Sequence, residues 1–203
     1  MKLHLSRYVA SIFFAALSFG SPSIAEDTKE PDFVIAADAF KDGDYVVAAV
    51  TFHTLAKNGN AAAQYNYAML VYKGVGVPID FEEAWYWSWM ARLAGIEKAG
   101  DLADQIAREL GVQHEASLLS RLRSTFEQNA LQGDANALSS MAIFLLEAQT
   151  EPDLAESYAW ALVAQALGQT DVQYIIEKAN DDLELSLKID SQKKAKSIFQ
   201  GFQ

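Results

Sequence analysis

Residues Gly59 to Gly95 read GNAAAQYNYAMLVYKGVGVPIDFEEAWYWSWMARLAG. Apolar residues recur at helical spacing on both sides of Lys73–Asp80, which predicts helices over Ala63–Lys73 and Phe81–Ala94. The connection carries Gly74 and Gly76, suited to positive-φ turn positions, and Pro78, which cannot continue the preceding helix. Asp80 and Glu83 have the D-x-x-E spacing of a capping box, in which each carboxylate accepts from backbone N–H groups left unpaired by the first turn. The stretch is one helical hairpin, opened and closed by glycine.

The pattern recurs. A shift of 73 residues superposes Trp85, Trp87, Ala91 and Gly95 on Tyr158, Trp160, Ala164 and Gly168. A shift of 74 superposes Gly59, Ala61 and Ala68 on Gly133, Ala135 and Ala142, so the one-residue change falls in a loop. Asp153 and Glu156 repeat the capping pair after Pro152. Upstream, Asp32–Phe40 and Tyr45–Lys57 make a first hairpin around Gly43-Asp44. Further helices are expected at Glu97–Leu110, Glu115–Leu131, Asp171–Leu187 and Ser191–Phe202, with a break at Gly111. The fold class is therefore all-α: an α/α superhelical solenoid of hairpins, about ten helices and no sheet. The last segment, rich in Lys and ending in Phe199 and Phe202, is expected to cap it.

Lys2 and Arg7 precede an apolar run of about eleven residues, Val9–Phe19, and Ser23-Ile24-Ala25 ends in small residues. Residues 1–25 read as a signal peptide, since a membrane span needs roughly twenty apolar residues. Residues 26–31 then form a flexible leader and 32–203 the solenoid domain. The mature chain is expected in the periplasm or outside the cell, with no membrane insertion after cleavage. It has no cysteine, so packing rather than disulfides must hold it. Without the signal, 14 basic residues face 27 acidic ones, a net charge of about −13, which disfavours nucleic acid and anionic lipid and reads either as ordinary periplasmic solubility or as a preference for a protein partner with a basic surface.

Residues Ala63–Gly95 resemble the Sel-one-like repeat, a relative of the tetratricopeptide repeat. Ala63-Gln64-Tyr65-Asn66 matches A-Q-Y-N, and Gly74-x-Gly76-Val77-x-x-Asp80 matches G-x-G-V-x-x-D. Ala84, Trp87, Ala91 and Gly95 fall at the spacing of A-x-x-W-x-x-x-A-x-x-x-G. Ala68 stands where the family has a small Gly, and Val71 where it has a tyrosine, with Tyr72 one residue later. The resemblance implies stacked hairpins and an adaptor or scaffold role, with no shared catalytic residue.

Catalytic chemistry has little to build on. Gly74-Val75-Gly76 lacks the third glycine and the preceding strand of a nucleotide loop, and His53 and His114 alone make neither a triad nor a metal site. No catalytic residue, cofactor or metal is expected. Partner binding is assigned to Tyr65 and Asn66, on the helix that lines the concave surface in the tetratricopeptide relatives, and to Tyr86 and Trp89 on the next helix. Trp85 and Trp89 form a stripe that either packs on the following helices or stands open as an anchor. The alternative reading is an envelope glycan-binding protein or hydrolase that uses carboxylates and the tryptophan stripe.

Overall fold

The computed structural model describes residues 31–111, 115–132, 134–148 and 152–201. The expected signal peptide, leader residues 26–30, His114, Gly133 and Phe202 lie outside the described residues. Among those described there are ten helices and no strand. They are α1 Pro31–Lys41, α2 Tyr45–Lys57, α3 Ala61–Lys73, α4 Phe81–Leu93 and α5 Lys98–Leu110, then α6 Glu115–Leu131, α7 Ala135–Glu147, α8 Leu154–Ala166, α9 Gln173–Asp182 and α10 Leu185–Gln200. The chain divides into two compact units at Leu110/Gly111, α1–α5 and α6–α10. Gly111 has φ +74°, which ends α5.

Helix ends are made the same way again and again. Asp44, Asn60, Asp80 and Asp153 each accept the backbone N–H three residues on, from Val47, Ala63, Glu83 and Glu156. At the other ends, Gly43, Gly59, Gly74, Gly95 and Gly168 take positive φ. The next residue's N–H then reaches back five positions: Asp44 to Ala39 O, Asn60 to Leu55 O, Val75 to Leu70 O, Ile96 to Ala91 O and Gln169 to Ala164 O, at 2.8–3.1 Å. This closure satisfies carbonyls that would otherwise lack partners, and it turns the chain sharply enough to lay the next helix alongside.

In the first unit each helix packs on its neighbour in sequence, α1 on α2 through to α4 on α5. Phe33 meets Phe52 edge-on at 5.3 Å, and Gln64 Nε2 donates to Ala56 O. Tyr72 OH donates to Glu109 and accepts from Gln105 Nε2, joining α3 to α5. The turn after α3 lies against the start of α2: a Cβ on Gly76, whose φ is +73°, would stand 1.9 Å from Tyr45 O.

The second unit departs from the expected succession of hairpins. Helix α8 is its hub, with α7, α9 and α10 all packed on it. Helices expected at Asp171–Leu187 and Ser191–Phe202 instead meet at Leu183-Glu184, where ψ values of 139° and 152° break the helix without a glycine or proline to announce it. Lys188 Nζ donates to Asn180 O across that bend, so a lysine caps α9. Helix α10 then runs back along α8, with Ser191 Oγ donating to Ala155 O.

The two related hairpins also differ in how they use the capping glutamate. Glu83 accepts from Trp87 Nε1 at 2.6 Å, rather than serving only the backbone as the capping-box spacing suggests. Its counterpart Glu156 is held by both Arg123 guanidinium nitrogens at 2.8 and 2.9 Å and by Lys194 at 2.7 Å, which pins α6 and α10 to α8. The Arg123 hydrogen bonds, helped by Lys194, hold the Glu156 carboxyl at about 2, against the desolvation that opposes them. Trp160, the counterpart of Trp87, is left with its buried Nε1 unpartnered.

Two predictions follow from this geometry. Gly76→Ala should cost about 2 kcal/mol more than Gly59→Ala in chemical denaturation. Both residues have positive φ, but only Gly76 adds a collision with backbone. Trp87→Phe should destabilise by about 1.5 kcal/mol more than Trp160→Phe, because it removes a hydrogen bond to a partly buried carboxylate while the other removes an unsatisfied donor. Equal losses in either pair would contradict the reading.

Candidate interaction surface

The four residues assigned to partner binding lie mainly inside the first unit. Asn66, Tyr86 and Trp89 are buried, Trp89 at 5% exposure. Trp89 sits 6.0 Å from Trp85, also buried, so the stripe at i and i+4 packs inward instead of standing open. Tyr86 meets Trp87 edge-on at 5.2 Å. Tyr65 is half-buried beside Ala61 on the cluster Ala91, Ile96 and Ala99, with Lys98 Nζ 4.8 Å above its ring. Burial raises the Tyr65 phenol pKa, with Asp101 adding to it, and burial lowers that of Lys98. The physical reason is size: a helix flanked on both sides buries more than one stripe, and large aromatic rings fill the gaps between backbones kept close by alanine.

An aromatic cluster in which His53 is partly exposed and the other two rings are buried spans three helices. His53 of α2 stacks on Tyr67 of α3 at 4.4 Å with 11° between planes, and both meet Trp87 of α4 edge-on at about 6 Å. Glu83 holds the indole from the same side. Burial lowers the His53 pKa, Lys57 adds to the effect, and Glu83 opposes it. Burial also raises the Tyr67 phenol, with Glu83 and Asp80 contributing.

What faces outward is aliphatic. Helix α2 turns Ala48, Ala49, Phe52, Leu55 and Ala56 inward and leaves Val46, Val47 and Val50 on its opposite side, Val46 and Val50 each 62% exposed. Asp42 and Asp44, both exposed, stand at the head of this row. The sequence reading missed these valines. The signal was present in Tyr45-Val46-Val47-Ala48-Ala49-Val50, because such a run is more apolar than a helix with one buried side requires.

All four tryptophans, Trp85, Trp87, Trp89 and Trp160, are buried, so none offers an open ring face of the kind that stacks on sugars. Among the described residues no three His, Asp or Glu side chains converge as a metal site would require, and no helix is long and apolar enough to cross a membrane.

His53 carries a pH prediction. Its folded pKa lies below the ordinary 6.5, so the unfolded chain binds the proton more readily. Stability is then full above 6.5 and declines as pH falls from there toward the lowered folded value. Melting temperature followed between about pH 5 and 8 should fall on the acid side in the native protein, and His53→Phe should flatten that part of the profile. An unchanged slope in the variant would place the titration elsewhere. No family model matches the chain, no curated protein matches it, and no solved structure matches it.

Proposed function

We propose that the chain is an exported, non-catalytic protein-interaction module of Sel-one-like character, an adaptor or scaffold in the periplasm or outside the cell. The observation that carries this reading is the exposed Val46, Val47 and Val50 row on a rigidly packed α2, headed by Asp42 and Asp44. Three valines on one helix face present more apolar surface than solubility favours, and a partner that covers them recovers it. The acidic head of the row, in a chain with a net charge of −11, favours a partner with a basic surface and speeds encounter at low salt. Repeated caps and glycine closures support the repeat reading, because they make each hairpin a stiff unit that presents its outer side without a cost in ordering. The glycan reading loses its support with the burial of the tryptophans.

In-cell crosslinking of the tagged protein in its native host tests this reading. A discrete partner should be captured by the native chain and lost from Val46→Glu/Val50→Glu, whose helix content stays unchanged. Capture unaffected by the substitutions, or no captured protein at all, would overturn the assignment of α2.

A further inference from the structure

We infer that α1 and α10 recognise each other across copies, the outer face of α1 on one molecule taking the outer face of α10 on a second. Helix α1 buries Phe33, Ala36, Ala37 and Phe40 and turns Val34, Ile35 and Asp38 the other way, with Ile35 54% exposed and Asp42 in the turn that follows. Helix α10 buries Ser191 and Ala195 and turns Leu185, Ile189, Lys193 and Lys196 outward, Leu185 at 72%. Each therefore offers two uncovered aliphatic side chains followed along the chain by two charges. Those two charges are acidic on α1, with Lys41 beside them, and basic on α10, with Asp190 beside them.

The order along each helix fixes the pairing. Ile35 to Asp42 and Ile189 to Lys196 are both seven residues, about 10 Å of helix. With the helices side by side and parallel, Ile35 lies against Ile189, Asp38 beside Lys193 and Asp42 beside Lys196. The reversed alignment would set the carboxylates on the aliphatic pair. Asp38 already pairs with Lys41 at 2.9 Å and Lys193 with Asp190 at 2.8 Å. Both are exposed pairs within one helix, the kind worth least, and they can exchange for a partner across the contact. The two surfaces are different patches of the same chain, so each contact pairs unlike faces. Two single-helix faces fall at the small end of interface sizes, so the association is weak and sensitive to salt. Asp42 is shared with the head of the α2 row, so Lys193→Glu/Lys196→Glu, which leaves that row intact, separates the two readings, and a protein that stays monomeric leaves the α2 reading untouched.

Sedimentation of the purified protein from about 10 µM to about 1 mM, at about 0.05 and about 0.5 M salt, tests it. The weight-average mass should rise with concentration at low salt and much less at high salt. Asp38→Lys/Asp42→Lys and Lys193→Glu/Lys196→Glu should each weaken association by roughly tenfold or more while helix content stays constant. Mixing the two variants should restore it, since the reversed, basic face of α1 on one then meets the reversed, acidic face of α10 on the other. A constant monomer mass, association unmoved by either charge reversal, or no recovery on mixing would overturn the proposal.

Discussion

Close approach between helix backbones, made possible by alanine, is the constraint on which the packing of both units depends. Ala36, Ala48, Ala63, Ala68, Ala84 and Ala91 have no exposed surface in the first unit, and Ala142, Ala159, Ala161, Ala164 and Ala179 none in the second. A side chain of one methyl group lets two helices approach to the short end of the usual 8–10 Å range. At that distance the caps and turns must be short as well. A positive-φ glycine followed by a five-residue backbone closure supplies the shortest exit from one helix, and an Asp or Asn cap starts the next within a few residues. Larger side chains pair off beside these contacts, Phe33 with Phe52, Tyr67 with Trp87 and Trp85 with Trp89.

The comparison of α4 with α8 separates what the hairpin needs from what each copy has made of it. Both have Asp at the cap, Glu at the third position and Trp four residues later. In the first unit the glutamate serves the indole, and the hairpin is completed from within. In the second, Arg123 and Lys194 hold the glutamate, and its carboxylate becomes the point where α6 and α10 are fastened to the hub. A fully hydrogen-bonded ion triad of this sort outweighs one neutral indole bond, which accounts for the unsatisfied donor on Trp160. Divergence between repeats has thus changed a side-chain partner while leaving the backbone caps in place.

Exposure is distributed against the usual expectation for an interaction protein. The tryptophan rings lie inside and aliphatic side chains of α1, α2 and α10 face out. The cause is position within each unit. Helix α4 packs against both α3 and α5, so nearly every large side chain on it finds a neighbour. Helix α10 packs on α8 from one side and leaves Leu185, Leu187 and Ile189 in water.

The sequence by itself determined the helices, their caps and their order, because these depend on residues within a few positions of one another. Gly59, Gly74, Gly95 and Gly168 mark helix ends that the structure places within one or two residues of the expected positions. The bend at Leu183-Glu184 escaped that reading because nothing local demands it: Lys188 and the return of α10 onto α8 fix it through tertiary contact. The same limit applies to the candidate surface. Helical periodicity shows which side chains share a face, so Trp85 with Trp89 and Val46 with Val50 were both legible as stripes. Only the tertiary structure decided that the tryptophans are covered and the valines are not, since burial depends on which helices lie alongside and from how many sides.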